Sequence, residues 1–474
     1  MSTGIQFDFV PPFPHRPPQV PSIWQRVRLW RQNMLAVFEE QAFDDYEFVR
    51  LNLLFRDIFL CNSPRSVEFA FGAHTDSFER KSPTHYHLLE PLIGDGLFIS
   101  YGKLWKQRRR IISGIVHPSR LSDFAPVMVE TALETRARWA KLASGELDAL
   151  SEMAQLTAEI ICRTVFGRQL GRARALEITE GFSEYQRRIG RFDLIFLLGL
   201  PSWFPRPHFP AVYGSVRRVH AAIDEVIATL RVHREGEGTS VISRLFDARD
   251  EETGAPLDPA VLRNEAIVLL MAGHETTANT LAWTWYILSQ TPDVEQRLHR
   301  EIDEVLGDRL PTLADVPKLT YTRAILEEVM RLYPPVPVLS REAGREESFE
   351  GVRIRKGSVI IVAPWLLHRH RKLWSKPDHF IPERFLPGSP EPISKFAYIP
   401  FSIGPRVCAG MAFGLTESIL CVATLAQRFK LRMQPGHQPE AICRLTLRPG
   451  EKLPMRLVPR ARTEIAPAVN AAAS

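Results

Sequence analysis

Residues 401–410 read FSIGPRVCAG and set Cys408 among glycines and a proline, just ahead of the helical stretch MAFGLTESILCVATLAQRF. Amide N–H groups at a helix start are unpaired donors in a positive local potential, so they stabilise a thiolate and temper its basicity. A sulfur ligand to iron requires that, although a cysteine taken alone is more often a small buried hydrophobe. Upstream, AGHETTA at Ala272 to Ala278 puts Gly273, Glu275, Thr276 and Thr277 inside a long apolar run from Asn264 to Gln290. A mid-helix glycine costs about 1 kcal/mol against alanine, and a buried hydroxyl or carboxylate without a partner costs more. Taken alone, such a segment reads as a locally bent helix whose Thr hydroxyls bond back into the preceding turn. HETTA begins like the zinc motif HExxH, but Ala278 stands where the second histidine belongs, so a metalloprotease site lacks a ligand. Glu328 and Arg331, three apart in YTRAILEEVMRLYPPVP, share one face of a helix expected to end before Pro334.

Phe401, Gly404, Arg406, Cys408 and Gly410 together match FxxGxRxCxG, and through this pattern the chain resembles the cytochrome P450 family of haem-thiolate monooxygenases. The resemblance implies haem b as cofactor and Cys408 as its axial thiolate and metal ligand. It also implies Phe401 beside the sulfur, Arg406 against a propionate, and glycines, Gly410 among them, that let backbone approach the macrocycle. The thiolate's part is electronic, pushing density through iron to favour O–O cleavage. AGHETT is similar to the family's distal helix, which implies that Ala272 and Gly273 border the haem, the glycine opening a groove for dioxygen. Thr276 would then stand beside the dioxygen and Glu275 would relay protons from water. Glu328 and Arg331 resemble ExxR, whose third member would be Arg384 of PERF, the three forming a buried network that fixes the cysteine loop to the helical body. Trp105 and Arg109, four apart on a helix beginning near Lys103, resemble WxxxR. Arg341 of LSREA takes the place of a further propionate-binding arginine.

GDGLF resembles the segment that carries an aromatic over the haem in bacterial fatty-acid hydroxylases of the family, which makes Phe98 a substrate-contact candidate. Leu269, Val336 and Val338 join it by family position, with the residues near Phe196 and Leu197. GDGLFI lacks the last glycine of a dinucleotide fingerprint, and no flavin or NAD domain is visible. Too few residues follow the cysteine segment for a fused reductase, so electrons are expected from a ferredoxin or flavodoxin with its NAD(P)H reductase. Lys103, Lys106, Arg108 and Arg110 are the expected docking patch for such an acidic partner, a solvated basic helix being the plain alternative. The implied reaction is hydroxylation or epoxidation of an apolar small molecule by O2, a fatty acid, terpenoid or steroid-like compound, with a lean to a long aliphatic chain. A haem-thiolate peroxygenase or peroxide isomerase, and a haem-based sensor or carrier, are the rivals. Glu275 and Thr276 speak against them, because none needs this polar relay.

The elements that position these residues follow from composition and periodicity. The chain has 474 residues, 45% hydrophobic and 24% charged, the composition of a well-packed globular protein. Its 60 basic and 54 acidic side chains leave a net charge of +6, too small for a nucleic-acid-coating protein. Cys61, Cys162, Cys408, Cys421 and Cys443 show no CxxC spacing and fit a reducing compartment. A membrane span needs about 20 apolar residues, and apolar runs such as Leu194 to Leu200 are far shorter. The N-terminus has neither a signal nor a transit pattern, so cytoplasmic residence is expected. Residues 1–22 read as a proline-rich strap, and Trp24 to Trp30 as a first helix packing its tryptophans on the body rather than lying on a membrane. Tyr46 to Asn62 reads as a strand pair, Ser63 to Leu339 as mostly helical, FEGVRIRKGSVIIVAPW as strands, and CRLTLRPGEKLPMRLVP as a hairpin. Strands from both ends must meet in one sheet. The expected fold is therefore mainly α with a small β region, one unit over residues 23–458 followed by a frayed tail at 459–474.

Overall fold

Apolar residues three and four apart build the longer helices α1 (Ile23–Gln32), α2 (Pro83–Ile93), α3 (Gly102–Ile115), α4 (Leu121–Trp139), α5 (Ala149–Phe166), α6 (Arg172–Ile189), α7 (Phe209–Val232), α8 (Pro259–Gln290), α9 (Pro292–Leu306), α10 (Thr320–Leu332) and α11 (Met411–Ala426). The computed structural model describes residues 9–53, 56–142, 145–167, 172–189, 209–232, 240–250, 253–443 and 445–460. The run Leu194 to Leu200, the pocket positions near Phe196 and Leu197, and the tail after residue 460 lie outside them. Among the described residues, no helix is long and apolar enough to cross a membrane.

The fold is arranged around α8. Its 32 residues span about 48 Å at a rise of about 1.5 Å each. It starts earlier than the apolar periodicity suggests because Asp258 caps it, accepting the Ala260 amide at 2.8 Å, and Pro259 supplies a ready-made first turn. Almost every side of α8 is buried, against α5, α10, α11 and strand β9 (Phe429–Met433). Trp283 of α8 stacks on Tyr333 with ring centroids 3.6 Å apart, and Trp139 meets both Trp285 and Phe429 edge-on. Deleting one such buried ring costs about 3–5 kcal/mol.

The strand pair is present as β1 (Phe48–Leu53) and β2 (Arg56–Cys61). β2 runs parallel to β8 (Val359–Val362), which pairs with β5 (Leu339–Glu342), which pairs in turn with β3 (Arg80–Lys81). Strands near the N-terminus thus meet strands that follow Pro334 in one five-stranded sheet of order β1-β2-β8-β5-β3, while the strands nearest the C-terminus lie in other sheets. β6 (Glu347–Phe349) and β7 (Val352–Ile354) form a separate hairpin. The expected terminal hairpin is divided differently. β11 (Leu447–Pro449) pairs back with β10 (Ala441–Cys443), while β12 (Pro454–Pro459) joins β9 and β4 (Glu146–Asp148). Alternating side chains mark a strand but do not say which neighbour completes its ladder.

The proline-rich segment is tied down from residue 9 onward. Arg16 makes a bidentate pair with Asp378 while stacking on Phe13 and Phe43, and the Pro12 carbonyl accepts the Tyr333 hydroxyl at 2.6 Å. The expectation for α1 needs correction. Trp24 is 80% exposed and only Trp30 packs partly on the body. Ser22 and Gln25 form a capping box that sets the phase of the helix, and Trp24 then falls in line with exposed Arg28 and Arg31.

Candidate active site

Cys408 sits at the end of a tightly folded loop. The amide of Ser402, at φ +62°, bonds the Ile399 carbonyl at 3.0 Å, and the Cys408 amide bonds the Phe401 carbonyl at 2.9 Å. Gly404 has φ +74°, and a Cβ there would collide with the Phe71 carbonyl, so glycine is required twice over. The Cys408 side chain is exposed although protein encloses its thiol at longer range. Burial pushes the thiol up, and the Gly410 amide and the Arg109 guanidinium pull it back down. These are the two influences that hold a sulfur anionic.

α11 follows the cysteine at once and packs on α8, where a Cβ at Gly414 would meet Thr277 Oγ1 at 3.8 Å. The middle of α8 carries one open stripe: Ala272 is exposed and Leu269, Gly273 and Thr276 partly so, while the residues between them are buried. Spacings of three, one and three put these residues on a single face. Thr276 bonds back to the Ala272 carbonyl at 2.7 Å, beginning a ladder continued by Thr280 and Thr284. Gly273 has a packing role that differs from the implied oxygen groove, since a Cβ there would meet Ile161 of α5 at 2.8 Å. Glu275 is 7% exposed and paired with Arg448 of β11 at 2.5 Å.

A cluster of cations borders the same interior. Lys81 and Arg341 stand directly opposite each other in the β3–β5 ladder, and Arg406 lies over the Trp105 ring at 4.4 Å. Like charges facing across strands destabilise a sheet unless an anion joins them. Burial and mutual repulsion pull Arg341 down to about 9, and burial above all pulls Arg406 down to about 10. Guanidinium groups stay charged, so these directions express the cost of burying like charges near one another. Lys81 is pulled well down by burial, Arg341 and Arg406, and His85, bonded to Ser340 at 2.8 Å, is pulled down to about 3 by burial, Lys81 and Arg341. Among the described residues, the ion pair found for Lys81, Arg109, Arg341 and Arg406 is that of Arg406 with Glu79, at 3.8 Å. A small pocket opens here, lined by Phe71, Glu79, Trp105, Lys106, Arg341 and Arg406 among others. A soft thiol, a cluster in which the cations outnumber the paired carboxylates, and the apolar open stripe of α8 make a donor set that fits a haem with two carboxylates.

Behind the cysteine loop, Glu328 and Arg331 are fully buried and joined through two bonds, of 2.6 and 2.7 Å. Arg331 also donates to the carbonyls of His368, Pro377 and His379, and Glu328 accepts the Ile381 amide. Arg384 lies 3.5 Å from Glu328. His368 continues the path, its Nε2 accepting the Ile399 amide at 2.9 Å. Hydrogen bonds thus lead from Arg331 through His368 to the residues that fold the Cys408 loop.

The structure separates one of the expected docking residues from the others. Lys103, Lys106 and Arg110 are exposed, whereas Arg108 is 6% exposed and turned inward toward Glu265 and Asp95. The buried side of α3 runs Trp105, Arg108, Ile112, Ile115, and counting by threes and fours from Trp105 finds it. Lys81 and His85 escaped sequence reasoning altogether, because only strand pairing brings them beside Arg341. Phe98, Leu269, Val336 and Val338 are all partly buried, with the Lys81 ammonium 4.2 Å from the Phe98 ring centroid.

Comparison with known proteins agrees with this geometry. The family model described as Cytochrome P450 matches residues 12–453. Cyclooctatin synthase of Streptomyces melanosporofaciens is 32% identical over 79% of this chain and 80% of its own length. Cyclooctat-9-en-7-ol 5-monooxygenase of the same organism is 30% identical over 89% of this chain and 90% of its own. The crystal structure of the cytochrome P450DA heme domain shares the fold with a TM-score of 0.80 at 24% identity, covering 94% of this chain and 98% of that one. With the family model spanning most of the sequence and both bacterial relatives aligned over more than two thirds of it, the chain belongs to the cytochrome P450 family and is a P450 monooxygenase.

Proposed function

We propose that this monooxygenase holds haem b through the Cys408 thiolate and hydroxylates or epoxidises an apolar, cyclic terpenoid-like molecule. The observation that supports the reading is an exposed Cys408 whose thiol the Gly410 amide and Arg109 draw toward the anion, in a chain that also carries an open apolar stripe on α8. Bound there, the haem supplies the iron at which O2 is activated. Trp105, Arg109, Arg341 and Arg406, joined by Lys81 and His85, meet the propionates, and Phe401 shields the sulfur. Thr276 keeps its hydroxyl at the open face through its bond to Ala272 and hands protons inward. Glu275, held by Arg448, feeds that hydroxyl through water. Leu269 and Ala272 of α8, with Phe98, Val336 and Val338, make the apolar wall that excludes water from the reacting carbon.

The cyclic substrate is favoured over a long aliphatic chain by the name of one relative, an enzyme acting on cyclooctat-9-en-7-ol. Electrons come from a ferredoxin or flavodoxin with its NAD(P)H reductase in the cytoplasm, docking on Lys103, Lys106 and Arg110. The test is a Soret titration of the haem-loaded enzyme with a cyclic terpene alcohol, dodecanoic acid and a steroid, followed by turnover with NADPH and each electron carrier. The terpene alcohol is expected to displace water from the iron most tightly and to gain one oxygen. Turnover with peroxide alone, and none with O2 and NADPH, would favour the peroxygenase instead.

A further inference from the structure

The loop 94–101 between α2 and α3 is pressed against α8 more closely than a lining role needs. A Cβ at Gly94, which has φ +51°, would collide with the Asn264 side chain, and one at Gly96 would meet Val268 Cγ2 at 2.8 Å. Both glycines of GDGLF therefore serve close approach to the N-terminal half of α8. At the point of contact, Glu265, 2% exposed, accepts the Leu97 amide with both oxygens, at 3.0 and 3.3 Å. Arg108 reaches the same carboxylate at 3.5 Å and Asp95 at 3.4 Å, and Asn264 reaches Asp95 at 3.4 Å. The other end of the loop is held from the cysteine side, where Arg406 donates to the Ser100 carbonyl at 2.6 Å and Glu79 accepts the Gly102 amide. Phe98 lies between the two anchors, beside Leu97.

We propose that Glu265 is the positioning residue for Phe98: with Arg108 it latches the Leu97 amide to α8 and so sets how far the phenyl ring reaches over the site where substrate binds. The proposal rests on the haem-site reading above. A buried carboxylate that accepts a backbone amide and faces an arginine is costly to leave half-paired, so the latch has one preferred arrangement. The ring next to it inherits that arrangement, and shape selectivity for ligands follows from it. Arg108 is thereby accounted for as an interior residue of α3.

The latch is tested on the haem-loaded enzyme with two iron ligands of different size, imidazole and 4-phenylimidazole, read by the Soret shift. The variants are Glu265→Leu, Phe98→Ala and the pair combined, with Glu265→Gln as the conservative rescue that still accepts the Leu97 amide. Glu265→Leu is expected to change 4-phenylimidazole affinity about tenfold and imidazole affinity less than about twofold, within the range of coupling between adjacent residues. In the Phe98→Ala background the same change should vanish, and Glu265→Gln should restore most of the wild-type preference. If Leu at 265 prevents haem loading, Arg108→Met loosens the other end and enters the same comparison. An effect of equal size with Phe98 present or absent, or an equal effect on both ligands, overturns the latch and leaves the haem reading intact. Wild-type enzyme that binds neither imidazole overturns the haem reading, and the latch with it.

Discussion

Two walls of the cavity are held in opposite ways. Behind Cys408, the fully buried Glu328 and Arg331 satisfy a run of backbone carbonyls and an amide, and their bonds pass through His368 to the loop itself. Residues 94–101 are held from separate elements instead, by Glu265 and Asn264 of α8, Arg108 of α3 and Arg406 of the cysteine loop. The first wall is over-determined and has one arrangement. The second is tied at separate points by side chains of different elements, so one tie can be altered without dismantling the cysteine loop.

The contrast breaks most visibly at Glu328. Removing one partner of a buried pair costs about 3–5 kcal/mol, and Glu328→Ala is expected to give little haem-loaded protein. The haem-to-protein ratio and thermal unfolding check this, and normal loading would show that the cysteine wall is held by something else. Thr276→Ala comes next. Among the described residues its hydroxyl bonds only within α8, so folding and haem loading should stay near wild type while the yield of product per NADPH falls severalfold, the reductant going to peroxide or water. Unchanged coupling would remove Thr276 from the proton path. The smallest effect belongs to the surface. Reversing Lys106 and Arg110 to Glu is expected to slow reduction by an acidic carrier about tenfold at low salt and to flatten its salt dependence, with binding of small ligands unaltered. A reduction rate and salt slope identical to wild type would place docking elsewhere.

The same contrast governs how much was legible in the sequence. ExxR lies within one helix, so three-residue spacing alone puts Glu328 beside Arg331. The Cys408 loop is a contiguous segment with fixed glycines. Lys81 and His85 could not be read this way, since Lys81 meets Arg341 through a two-residue strand whose partner lies far along the chain, and His85, on the helix that follows, reaches Ser340 of the same partner strand. Arg108 was legible in principle, because its place in the buried phase of α3 follows from Trp105, Ile112 and Ile115, but three consecutive arginines look alike until one of them is given a partner. The terminal strands were recognisable as strands, and their partners were set by tertiary packing. Trp24 shows the same limit: the capping box at Ser22 fixes which face of α1 turns outward, and aromatic character alone does not.

The central claim is tested most directly by the absorption spectrum of the reduced, carbon monoxide-bound protein, recorded for the wild type and for Cys408→Ser. The wild type should show the strongly red-shifted Soret band of thiolate-ligated haem, and the serine variant should lose both that band and NADPH-driven oxygenation. A serine variant that retained the band and turned over at the wild-type rate would contradict the account.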